Sequence, residues 1–281
     1  MLRLNPAIGS GGIAACRDVP SRHGDSRVFF GLCAMLFVAG AAVTILCHGP
    51  MANAEPGLGG WTLPGAWDAM CGTSPSASTA TFLVLWSAMT LAMMLPSFAP
   101  ALWRWRVSLA TGRTRWLAGA VAMAGLGYFV AWSVVGLCAF AASHVAAIVV
   151  LREPGVVLAF PVVGGAVVTL AGALQFSAWK ARHLDACRGW PACSRGGNAS
   201  LASAWRHGLH IGRHCVCSCA GWTTALLVGG SMDLGAMTLA TVGITAERLA
   251  ADGKSAARIG GAIAVGLGLA RLASAAVLAW R

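Results

Sequence analysis

The chain has 281 residues, 57% of them hydrophobic and 10% charged, with 20 Lys+Arg against 9 Asp+Glu. A water-soluble domain carries about 25% charged residues, so this composition excludes an ordinary soluble protein and calls for apolar stretches of about 20 residues that cross a bilayer. The excess of positive charge does not imply nucleic acid, because it sits in short segments between apolar runs, where it sets membrane orientation.

Residues 1–27 form a polar tail with Arg3, Arg17, Arg22 and Arg27, and are expected to be cytoplasmic. The apolar run VFFGLCAMLFVAGAAVTILC follows and reads as the first span. Its competitor is a cleavable signal peptide, for which Ala52-Asn53-Ala54 offers a cleavage site. A Gly/Pro/Ser-rich segment at 48–79 reads as an external loop. Further spans are expected at 80–102, 116–143, 156–178, 215–230, 232–250 and 259–280. The expected fold is therefore all-α: a polytopic bundle of about seven transmembrane helices, with residues 28–281 forming one membrane domain and the N-terminus in the cytoplasm.

Charge placement supports this order. Seventeen of the 20 basic residues fall in 1–27, 103–115, 179–214 and 248–258, whereas 48–79 has none and 144–155 only Arg152. Alternate segments are thus basic, the pattern of a multi-pass protein of a bacterial inner (plasma) membrane. Arg271, inside the last span, is the exception, since an intramembrane charge needs a partner or an interface.

Soft ligands cluster in AWRHGLHIGRHCVCSCAGW, where His207, His210, His214, Cys215, Cys217 and Cys219 lie within thirteen residues. On a helix, His207, His210, His214 and Cys217 share one stripe, and Cys215 and Cys219 are an i, i+4 pair on the neighbouring face. Thiolate and imidazole one turn apart can share a metal ion. Upstream, His183 and Cys187 are again i, i+4, with Cys193 following, and either close the same shell or form an unrelated pair.

The second span contributes Met89, Met93 and Met94 ahead of Pro96 and Pro100. Thioethers bind soft Cu(I) and are poor ligands for zinc, so these residues are either a copper relay or core filler. Among the acidic residues, Asp233 is placed to N-cap the helix after a tight turn, and Glu247 to pair with Arg248 at the surface. No Walker, zincin or nucleophile-elbow sequence is present, so ATP-driven transport by this chain alone is not expected.

Several of these segments resemble a family of bacterial predicted metal-binding integral membrane proteins whose domain has no established function. WSAMTLAMMLPSFAP (86–100) looks like its Trp-x-x-Met-x-x-Ala-Met-Met-Leu-Pro motif, and GYFVAW (127–132) is similar to its Gly-Tyr and Trp. QFSAWKARHLDACR, GLHIGRHCVCSCAGW, VGGSMDLGAM and the ERL at 247–249 resemble its helix end, Cys-rich span, Gly-Gly turn and Glu-Lys-Leu. The chain departs from that pattern at His183, Cys217, Ser218 and Asp233, where the family carries Cys, Gly, Cys and Asn.

The resemblance implies metal binding without saying which metal. Together the residues lead to an inner-membrane protein that binds a soft metal in trafficking or delivery. Cu(I) is the expected metal and zinc the alternative. Cys187, Cys215 and Cys219 are the first ligands, His183, His214 and Cys217 the next, and Met89, Met93 and Met94 the relay. Its expected partners are the lipid bilayer and a metallochaperone or cuproenzyme, with no nucleic acid. A haem-anchoring or electron-transfer subunit using His144, His207, His210 and His214 is the second reading, and a structural membrane subunit the third.

Overall fold

The computed structural model describes residues 23–52, 75–109, 114–189, 200–230 and 233–279, and among these there is no strand. Eight α-helices follow in order: α1 (His23–Ala52), α2 (Pro75–Ser108), α3 (Thr114–Arg152), α4 (Phe160–Leu174), α5 (Ala178–Arg188), α6 (Leu201–Gly230), α7 (Leu234–Leu249) and α8 (Gly253–Ala279). A 3₁₀ turn, Pro154–Ala159, connects α3 to α4. Residues 1–22 of the tail, 53–74 of the expected loop, and Cys193 lie outside the described residues.

Four of these helices are long and apolar enough to cross a membrane, within α1, α2, α3 and α8, and α4 with α5 makes a fifth if that bent pair counts as one span. Seven were expected. The shortfall has local causes. Expected span 215–230 is the second half of the 30-residue α6, whose first half carries Arg206, His207, His210, Arg213 and His214. Expected span 232–250 becomes the 16-residue α7, about 24 Å long at 1.5 Å per residue. Expected span 156–178 shortens to the 15 residues of α4, and the chain then bends by 59° into α5. Ser177 starts α5 by accepting from the Lys180 amide, as an N-cap does.

The helices pack as a bundle in which α6 lies most extensively against α3, and α8 against α4. Large apolar side chains point outward around its periphery, among them Leu46, Val84, Leu126, Val134, Leu170 and Val242. The α3–α6 contact depends on glycine. A Cβ on Gly208 would collide with the Ala124 carbonyl, and one on Gly212 would sit 2.9 Å from the Tyr128 carbonyl oxygen. Small residues let the two backbones approach, and that approach brings Tyr128 to α6.

Contacts gather the basic segments at one end. Arg106 pairs with Asp25 at 3.3 Å and Lys254 with Asp185 at 3.0 Å, while the Trp105 and His207 rings stack at 5.2 Å. Arg271 lines a cleft of about 330 Å³ that Asp233, Leu239 and Leu267 also line. Asp233 does N-cap α7, accepting from the Gly235 and Ala236 amides at 2.7 and 3.3 Å.

Candidate metal centre

Five helices meet around two cysteines of α6. Their i, i+4 spacing turns Cys215 and Cys219 inward together, and both are buried, as is Ser218 beside them. From α2, Met94 places its Sδ 3.9 Å from Cys215 Sγ. From α3, the Tyr128 hydroxyl lies 2.8 Å from the same sulfur, its ring stacked on Phe98 with centroids 3.9 Å apart. From α5, Cys187 is buried with its Sγ 3.8 Å from Ser218 Oγ, which in turn lies 3.8 Å from Cys219 Sγ.

The fifth helix, α7, supplies a cation. Arg248 donates through Nη2 to Cys215 Sγ at 2.7 Å, Ser218 Oγ at 3.3 Å and Cys219 Sγ at 3.4 Å, and through Nη1 to Ser97 Oγ at 3.4 Å. Glu247, its neighbour in sequence, faces elsewhere. It is 1% exposed, ion-paired to Lys180 at 2.7 Å and held by Trp222 Nε1 at 2.8 Å. The expected surface pairing of Glu247 with Arg248 is therefore replaced by two separate buried contacts. Arg188 steadies this end of α7 by donating to the carbonyls of Glu247, Ala250 and Ala251 at 2.7, 2.6 and 3.0 Å.

Other residues proposed from the sequence fall outside this centre. Cys217 is half-buried on another face of α6. Met93 is buried in the general core, and Met89 packs half-buried against it. His183 and His214 form a second group, with Nδ1 atoms 2.9 Å apart and the Trp179 and His210 rings alongside. Burial, then His210, His183 and Arg213, lowers the His214 pKa, and burial with His210 lowers that of His207. Both shifts favour the neutral imidazole, the form that can bind a metal.

Two members of the centre were not expected there: Arg248, expected at the surface beside Glu247, and Tyr128. Tyr128 is the protein's sole tyrosine and lies within GYFVAW, which was a usable signal.

Among the described residues no three Cys, His, Asp or Glu side chains stand together as a ready metal shell. What the centre offers is two thiols and a thioether, with a third thiol across Ser218. Thiolate and thioether donors suit soft metals, Cu(I) and zinc among them, and the thioether favours Cu(I).

A family model described as PpoB2, a copper chaperone, matches residues 83–271. That match agrees with the metal-related part of the resemblance drawn from the sequence. No curated protein and no solved structure matches the chain.

Proposed function

Because the chain belongs to the PpoB2 copper chaperone family, we propose that it is a multi-pass membrane protein carrying Cu(I) as cargo on Cys215, Cys219 and Met94. The observation that carries this reading is the buried Cys215–Met94 sulfur contact next to buried Cys219. Cys187 stands close enough to join after a small movement. His183, His214 and Cys217 lie toward the basic end and form the rim where copper is exchanged with a metallochaperone or cuproenzyme. Met89 and Met93 serve packing in this reading.

Membrane residence is supported by the four long apolar helices, the outward-facing apolar side chains and the alternation of basic segments. In this arrangement α6 and α7 also cross: α6 packs against α3 and α4, and α7 packs against α2 and α8 while turning Leu239 and Val242 outward to lipid. The basic end, with residues 179–189 and 200–214, faces the cytoplasm.

The test is metal analysis of the full-length protein purified anaerobically, followed by titration with Cu(I) against a chromophoric chelator. One tightly held copper per chain, abolished in Cys215→Ser, is the expected result. Absence of copper under these conditions overturns the reading.

A further inference from the structure

Resting on that copper reading, we infer that Arg248 sets the charge selectivity of the sulfur centre, making it a seat for a monovalent soft cation and disfavouring divalent ones. Metal-bound cysteines are thiolates, so Cys215 and Cys219 together contribute two negative charges when loaded. Arginine keeps its positive charge in proteins. With a monovalent ion such as Cu(I) the group of metal, two thiolates and guanidinium is neutral. With Zn(II) it carries a net positive charge, which is unfavourable in a site removed from water.

The surroundings leave this balance intact. Among the described residues no carboxylate lies within ion-pair distance of Arg248, and Glu247 is committed to Lys180 and Trp222. That buried pair is itself neutral. The remaining polar contacts, Ser97, Ser218 and the Tyr128 hydroxyl, bring no formal charge. Arg248 therefore acts on the metal through charge, and not as a ligand, since a guanidinium has no lone pair to offer.

The experiment uses the full-length chain, anaerobic and in detergent, and compares competitive affinities for Cu(I), Ag(I), Zn(II) and Cd(II) across variants. Arg248→Gln is expected to move the monovalent-to-divalent affinity ratio toward the divalent ions by about tenfold or more, the scale of one charge at contact distance in a partly screened site. Arg248→Lys, which keeps the charge, should retain the parental ratio. If Arg248→Gln does not fold, Ser97→Asp gives the same information, because a carboxylate beside Nη1 offsets the charge while leaving the guanidinium in place. It too should shift the ratio toward Zn(II) and Cd(II).

An unchanged ratio in the folded variants overturns the inference. So does a shift toward monovalent ions, because loss of a neighbouring positive charge must favour the more highly charged cation. Failure of the parent to bind any of the four ions refutes the copper reading itself, whereas parental copper binding with a ratio indifferent to charge at residue 248 refutes the selectivity alone.

Discussion

Met94 Sδ and Cys215 Sγ lie 3.9 Å apart although 121 residues separate them in the chain. The contact ties α2 to α6 through two soft sulfur atoms. It also divides the methionines of α2 by role, since neighbours on a helix point about 100° apart. Met94→Leu keeps the volume but removes the sulfur. It should weaken Cu(I) binding by about tenfold, roughly 1.4 kcal/mol, while Zn(II) binding changes little. Met93→Leu should titrate like the parent. Equal losses in both variants would show that α2 contributes packing only.

The cysteines of α6 should likewise separate by face. Cys215→Ser and Cys219→Ser are expected to lose bound copper, and Cys217→Ser to keep it, as read by copper-to-protein ratio after desalting. Thiol reagents offer a second measure. Half-buried Cys217 should react readily in the native protein, and Cys215 and Cys219 only after denaturation, because both are enclosed. In membranes, an impermeant reagent should reach Cys217 from inverted vesicles and not from the outside of spheroplasts.

Stability should hinge on the Lys180–Glu247 pair. Removing one member strands a charge in a site where both side chains are almost fully enclosed. Such losses cost about 3–5 kcal/mol, and replacing both partners by apolar residues costs far less. Glu247→Ala should therefore lower the thermal midpoint in detergent markedly. Lys180→Met combined with Glu247→Leu should recover most of it. A double variant as unstable as the single one would point to the Trp222 hydrogen bond as the dominant contribution.

The α3–α6 seam provides a geometric test. Gly208→Val places a branched side chain against the Ala124 carbonyl and must push the helices apart. Tyr128 then withdraws from Cys215, so copper affinity and thermal stability should fall together. Gly125→Val, on the same α3 where a Cβ meets open space, should alter neither. Copper binding preserved in a folded Gly208→Val protein would show that Tyr128 need not approach the sulfur.

What could be read directly from the residues was set by local pattern. The long apolar runs of α1, α2, α3 and α8 are legible because each alone satisfies the length of a bilayer crossing. The Cys215–Cys219 pair is legible because i, i+4 spacing fixes a common face. The α4–α5 bend was hidden, since a serine cap within a near-continuous run stands out only once α5 has packed against α6 and α7. Of the methionines, Met89 and Met93 share the stripe that periodicity singles out, yet Met94 is the one that α6 meets. That choice belongs to helix rotation in the bundle. Glu247 and Arg248 were expected to pair because they adjoin in sequence. On a helix, adjacency sends side chains to different neighbours, here to α5 and α6.

The Lys180–Glu247 bridge also bears on how the chain is built into a bilayer. Its two ends lie 67 residues apart, so during synthesis Lys180 emerges well before its counter-ion exists. Held alone in hydrocarbon, that ammonium is unfavourable by about 2.5–3.5 kcal/mol on insertion scales. The short polar α5, which bends by 59° away from α4, gives it a place outside the apolar run of α4. Burial follows only when α7 arrives and docks. One docking step thus does two things: α7 brings Glu247 to Lys180 and Arg248 to Cys215 and Cys219, so the sulfur centre is complete only after translation has passed residue 248.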